Sequence, residues 1–525
     1  MPVMRHLLLG LGSLIAVVGC DGIVAEGEFE GEGEGEGELP PPPPATCEAP
    51  ITLHDTNNNV VVGDGTAASC TAAALRTAVD SARVVTFSCG DAPITINTDD
   101  EFVVDSDLVV DGGGLVTLSG GGAHRLFRVD STFDNDGPRL TLQRLGLVDG
   151  NSPGDGTDTL QGGGAVLRLG GALDVIDCVF ADNHAPDVGQ DVAGGAISSI
   201  GGGTTTIVGS TFANNSGSNG GAVGNLGNGL VVVNSSFVDN AAVGSGGNPG
   251  NGGNGGTISV DGENRSIELC GVSMVGSRAN AFGGAFFRVA YNGEPTIMHH
   301  VVVQDAAIDD REPSMGGGLY VQGSAVTLSA STIIGSRARA AGGAYVGPGS
   351  TIRFDNVSFI NNVASSSLAG ALFLDGVLGG QVRFSSFVGN AAPGPVAFGG
   401  AVTGDASRVT LTSSLFIDNV AGNGFNPITC TTSFLDGSDS FQFPVVRAGN
   451  GGGDGGSDAP DALCAPNVTI ADVDLGFVDS AGPVPVVRPV AGSTAGGAVD
   501  SGCAVDASDV QRPTPCASGA AEPET

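Results

Sequence analysis

A Gly-Gly-Ala-apolar element recurs along most of this sequence, and a Phe-x-x-Asn element follows it. The second glycine falls at Gly164, Gly195, Gly221, Gly284, Gly343 and Gly400, with looser copies at Gly256, Gly318 and Gly370. The second element stands at Phe180/Asn183, Phe212/Asn215, Phe237/Asn240, Phe359/Asn362, Phe387/Asn390 and Phe416/Asn419, and Met274, Val303 and Ile333 take the phenylalanine slot in degenerate copies. From glycine to phenylalanine slot the spacing stays at 15 to 19 residues, while from there to the next glycine it varies from 9 to 19. One part of each repeat is fixed and one loop is free to grow. Stacked coils behave this way, because each unit buries its apolar face only against its neighbours.

Further columns appear when the copies are aligned on the phenylalanine slot. Five positions earlier the residue is always apolar (Val175, Ile207, Val232, Leu269, Met298, Leu328, Phe354, Val382, Leu411). Two positions earlier it is always small, as at Cys178, Ser210, Ser235, Ser385 and Ser414. Short β-rich runs broken by Gly, Asn and Ser argue against helix. The expectation is an all-β right-handed parallel β-helix of about 12 coils, each about 4.8 Å above the last, with like residues stacked on like. The asparagine column should sit at a bend, where its amide bonds the coils above and below. Glycine makes up 89 of 525 residues, without the period of three that collagen needs. A net charge of -36, with 20 basic residues that are all arginine, excludes nucleic acid as a partner.

The Gly-Gly-Ala-[Ile/Val] and Phe-x-x-Asn pair resembles the repeat of chlamydial polymorphic outer-membrane proteins and related bacterial β-helix surface proteins. It covers roughly residues 140 to 425. Those proteins end in a membrane β-barrel, for which the residues after the repeats leave no room here. At the N-terminal side Cys70-Thr71, Leu75-Arg76 and Ala78-Val79 resemble the Cys-Ser-Leu-Arg-Glu-Ala-Ile motif of exported proteins, with three alanines inserted and Thr77 in place of the glutamate. Thr71 to Ala82 is alanine-rich, with Leu75, Ala78 and Val79 on one face, and reads as a capping helix over the first coil. At the other end Ala498-Val499-Asp500-x-Gly502, Arg512-Pro513 and Gly519-Ala520-Ala521-Glu522 resemble the tail of the choice-of-anchor Q family, which implies a cap.

The organisation expected from these signals has five parts. Residues 1–19 read as an export signal with an apolar run from Leu7 to Val18, too short to span a bilayer comfortably. The run ends Val17-Val18-Gly19-Cys20, which resembles a lipobox and implies lipidation of Cys20; the alternative is a plain secretory signal. Residues 20–46 form an acidic Glu-Gly and polyproline tether, flexible and then stiff. Residues 47–115 form the N-terminal cap and first coils, 116–425 the repeats, and 426–525 the last coils and cap. The lipobox resemblance implies a membrane-anchored lipoprotein at the outer membrane or surface of a Gram-negative bacterium.

Nine cysteines remain beside Cys20, so one is unpaired. The expected disulfides are Cys70–Cys89, Cys430–Cys464 and Cys503–Cys516. Cys178 reads as a buried space-filler in the small-residue column, and Cys270, three coils away at about 14 Å, is too far to bond it. No Cys/His metal spacing exists. Two glycine-rich stretches, Asn248 to Gly256 and Gly451 to Asp461 with Asp454 and Asp458, are similar to calcium-binding nonapeptides, but neither repeats nor keeps their order. Surface loops are the better reading, and no cofactor is expected.

The same fold houses pectate lyases and polygalacturonases, which need carboxylates and a cation clustered on neighbouring coils. The acid candidates are Asp99-Asp100 and Asp309-Asp310. Arg288, Arg337, Arg353 and Arg383 are candidate cations that form no column, and His299-His300 should place one ring in and one out. None completes a set, so no catalytic residue is assigned. The expected function is a monomeric surface protein with a structural or adhesive role, binding a protein or glycan through its variable loops. A uronate polysaccharide lyase or hydrolase is the alternative.

Overall fold

The computed structural model describes residues 46–246, 251–262, 265–309, 314–423, 428–443, 446–447, 459–471, 475–479 and 482–490. Beyond these it describes residues 493, 495, 499, 503, 505–507, 511–513 and 516–523. All belong to the second of two units, Pro40–Thr525. Cys20, the export signal and the tether up to residue 45 lie outside the described residues, as do Asp310, Asn248, Asp454 and Asp458.

The chain winds as a parallel β-helix of about 13 turns, as the expected coil count of about 12 implied. Eleven turns give one strand each to an eleven-stranded sheet, and the coils add a longer bent strand or strand pair to a twenty-stranded sheet. Eight turns add a two-residue strand to a third sheet. Every pairing that builds these three sheets is parallel, and among the described strands the Leu108–Ser119 strand shifts register against Arg139–Val148 between Asp111 and Val116. The chain Leu147–Phe180–Phe212–Phe237–Met274–Val303–Ile333–Phe359–Phe387–Phe416 runs unbroken up one side of the core.

The columns explain why these residues form coils. Phe180, Phe212 and Phe237 stack at centroid distances of 4.6 and 4.8 Å, and Phe359, Phe387 and Phe416 at 5.1 and 4.9 Å. These are coil-to-coil distances, so each ring fills one layer of the cylinder. The asparagine column runs just beyond. Asn215 donates to Asn240 Oδ1 at 3.0 Å and to the Phe180 carbonyl at 3.0 Å, and accepts from the backbone and side chain of Asn183. Asn362, Asn390 and Asn419 repeat the pattern.

Two bends in each coil require a left-handed backbone. The first lies three residues before the phenylalanine slot, at Asp177, Gly209, Asn234, Gly271, His300, Ala330, Asn356, Phe384 and Ser413, all with φ between 44° and 65°. Serines from the small-residue column serve this bend. Ser210 Oγ accepts from the Cys178 N–H at 3.1 Å and donates to the Val208 carbonyl at 2.9 Å, and Ser385 and Ser414 act alike. The second bend lies two residues after the slot, at Asp182, Asn214, Asp239, Gly276, Asp305, Gly335, Asn361, Gly389 and Asp418. Only Asp, Asn and Gly occur there, the residues that adopt this conformation most readily.

The paired glycines answer to crowding. A Cβ on Gly284 would fall against the Gly317 carbonyl of the next coil, and one on Gly195 against the Gly221 carbonyl, well under 3 Å. Pairing also corrects the register of two copies. Gly284 is followed in the column by Gly317 and Gly342, not by Gly318 and Gly343. In those coils a glycine occupies the alanine position, so matching the Gly-Gly-Ala string selects the wrong pair.

The capping helix spans Ala72–Ser81, with the Thr71 side chain accepting from the Ala74 N–H and with Leu75 and Ala78 buried. On the outer face of the eleven-stranded sheet Phe287, Tyr320, Tyr345 and Phe373 form a second aromatic ladder. Burial pushes Tyr320 up to about 12 and also raises Tyr345, whose hydroxyl bonds Asp375 at 2.7 Å. With folded values above the ordinary one of about 10, the neutral phenols favour the folded state, and that contribution is lost as pH rises past 10. Ultraviolet titration should show two of the three tyrosines ionising only well above pH 10, or on alkaline unfolding.

Candidate functional site

Of the acids singled out from sequence, Asp99 and Asp100 are engaged in structural bonds. Asp99 accepts from Arg76 Nη2 at 2.8 Å, and that hydrogen bond holds its carboxyl below the usual range. Asp100 accepts from the Glu101 N–H. Glu101, which sequence reasoning passed over, bridges Arg125 at 3.1 Å and Arg128 at 2.8 Å. Arg125 in turn donates to Ser152 Oγ and to the carbonyls of Leu160, Gly162 and Gly163. These bonds brace the first coils. Asp309 is exposed at the end of its strand.

The arginines separate likewise. Arg288 stands in the interior column with Val260 and Val321, 1% exposed, and donates to the Arg265 carbonyl. Arg383 pairs with Asp355 at 3.3 Å, while Arg353 occupies a different outward column. The histidine pair departs from expectation. His300 is a bend residue with φ of 50°, so strict alternation fails there and the two rings lie 4.0 Å apart. In the second glycine-rich stretch, Asp461 takes backbone N–H groups of Ile428, Thr429 and Ala462. Among the described residues no group of three or more His, Cys, Asp or Glu is placed to hold a metal ion, and no helix is long and apolar enough to cross a membrane.

A second convergence of acids with cations lies on the outer face of the twenty-stranded sheet. Asp111 and Asp174 each have side chains 2% exposed. Arg144 pairs with Asp111, Gln143 donates to it at 2.9 Å, and Arg139 pairs with Asp174 at 2.7 Å. His54 Nε2 approaches Asp174 at 3.4 Å. The alternating strands Leu108–Ser119 and Arg139–Val148 turn these polar groups outward while Leu108, Val110, Leu140 and Leu142 face the core. That alternation was the available signal. Burial by itself would raise the Asp111 pKa, but bonds from Arg144, Gln143 and the Gly113 N–H hold it below the ordinary value. The ionised form therefore stabilises the fold above about pH 4, and the contribution is lost as pH falls through the depressed value. Asp111→Asn should lower urea stability at pH 7, with the deficit shrinking toward pH 3 in denaturation series.

Both chain ends cover this face. At the N-terminal end, Cys47 is bonded to Cys270, with Cα atoms 6.0 Å apart. Asn234 Oδ1 accepts from the Thr46 and Cys47 N–H groups, and its Nδ2 donates to the Cys47 carbonyl at 2.8 Å. Gln143 brackets His54 in the same manner, accepting from its N–H at 2.8 Å and donating to its carbonyl at 3.2 Å. At the other end, Val484, Val486, Ala507, Ala520 and Ala521 pack on Ala330 and Val302. Asn356 donates to the Val505 carbonyl, and Arg512 lies 4.5 Å over the Phe384 ring. The tail expected as a cap thus runs back beside the coils. The remaining bonds join Cys70 to Cys89, Cys430 to Cys464 and Cys503 to Cys516, and Cys178 is free and buried. Burial pushes the Cys178 thiol up to about 12, which makes it inert.

No family model matches the chain, and no curated protein matches it. Among solved structures it is similar to the A-module of Azotobacter vinelandii mannuronan C-5 epimerase AlgE4. The identity is 12%, the match covers 78% of this chain and 97% of that one, and the TM-score is 0.29. At those values the fold assignment rests on the strand pairing described above.

Proposed function

We propose that this protein is an exported surface β-helix with a structural or adhesive role, anchored through lipid on Cys20 and binding a protein or glycan through its variable loops. The observation that carries this reading is the covered outer face: segments from both ends of the described chain lie on the outer face of the twenty-stranded sheet. Of the acids expected as candidates, Asp99 and Asp100 are spent on Arg76 and on a backbone group. What is left for recognition is the loop side, where repeat length varies.

Two measurements test the reading. Membrane fractionation should lose the Cys20→Ser protein to the soluble fraction; unchanged retention would overturn the anchor. Glycan-array and cell-surface binding should give specific signals that loop replacement, as at 245–253, abolishes without loss of fold.

One observation favours a second reading, action on a uronate-type polysaccharide. Asp111, Asp174, Arg139 and Arg144 are carboxylates and cations on neighbouring coils. Under that reading the N-terminal segment would have to leave before substrate could enter.

A further inference from the structure

The N-terminal segment is held in an unusual way. None of residues 46–61 is buried. It crosses from the coil of Cys270 to that of Gln143, four coil steps or roughly 19 Å at about 4.8 Å each. Eight residues, Cys47 to His54, span this, within the reach of that length of chain. Its grip consists of two side-chain amides that bracket backbone N–H and carbonyl groups, the His54–Asp174 contact and one disulfide. The bracketing amides belong to Asn234 and Gln143, and they read main chain rather than side chains. The contrast with the C-terminal tail is direct, since that tail buries Val484, Val486, Ala507, Ala520 and Ala521. An exposed turn, in which Asp55 caps the Asn57 N–H and Asn58 has φ of 61°, joins the segment to the first strand at Val60. Such a segment is a strap on a hinge, fastened by a latch, with little apolar burial to hold it.

We propose that this strap also closes in trans: the segment around Cys47 of one copy seats on the Gln143 and Asn234 amides of a second copy and bonds its Cys270. The seat is the one observed in cis, so the fit of this sequence to these amides is already given. Exchange of two latched straps turns two bonds within copies into two between copies and consumes no oxidant. Formation from thiols releases two protons and two electrons, which a disulfide oxidant takes up. The inference stands whether or not the surface reading holds.

The test mixes two full-chain variants, Cys47→Ser and Cys270→Ser, neither of which can form the latch alone. Oxidised glutathione is the oxidant and leaves as two glutathione molecules. The mixture should give a reducible dimer absent from either pool, with peptide mapping showing Cys47 joined to Cys270. Adding Gln143→Ala and Asn234→Ala to the Cys47→Ser copy should cut its yield about tenfold, the effect of losing the two bracketing amides. Circular dichroism of each variant controls for folding. No mixed dimer, or a yield unaffected by the Gln143 and Asn234 substitutions in folded protein, overturns the proposal.

Discussion

Replacing Asn215 by alanine should cost about 3 kcal/mol or more, although the side chain carries no charge and touches no ligand. Its amide donates to Asn240 Oδ1 and the Phe180 carbonyl and accepts from both nitrogens of Asn183. Removal orphans those groups in a layer that is 0% exposed, and each orphan costs about 1–3 kcal/mol. Because the coils contact only their neighbours, the damage should be local. Hydrogen-exchange mass spectrometry should show faster exchange in residues 178–184 and 236–242 and little change near Phe387. Uniform loss of protection along the chain would contradict a nearest-neighbour stack.

Phe387→Ala should be at least as damaging. The ring lies between Phe359 at 5.1 Å and Phe416 at 4.9 Å, nearly parallel to both. Truncation leaves a void one layer thick that neither flanking ring can fill without leaving its own layer, and such changes cost about 3–5 kcal/mol. Leu378→Ala, at a side chain 65% exposed, should stay within about 0.5 kcal/mol in the same urea series. Equal effects at the two positions would mean that the phenylalanine column is not the core.

The interior was legible in the sequence because stacking restricts it. A residue that must lie on its own kind every coil leaves a visible column, as Phe212 over Phe180 and Asn240 over Asn215 do. The second bend was legible too, had the Asp/Asn/Gly restriction at Asp182, Asn214 and Gly276 been noticed. The first bend was not. His300, Ala330 and Phe384 all adopt it, so no residue type marks it. Adjacent His299 and His300 therefore lie ring against ring, His300 buried and His299 half-buried, against simple alternation. The strap left no trace at all. Its partners are 89 to 223 residues away, and with no buried residue it needs no apolar pattern. Cys47 was consequently absent from the expected disulfides, and the Asp111–Asp174 cluster beneath the strap was absent from the candidate sites.

The central claim is that this β-helix recognises rather than transforms its ligand. Its most direct test is turnover of uronate polysaccharides, with and without calcium, by the wild-type protein and by the unlatched Cys47→Ser/Cys270→Ser variant. The account predicts no product from either. Product released by the unlatched protein, and abolished by Asp111→Asn or Asp174→Asn in folded protein, would contradict it and make the strap the cover of an active site.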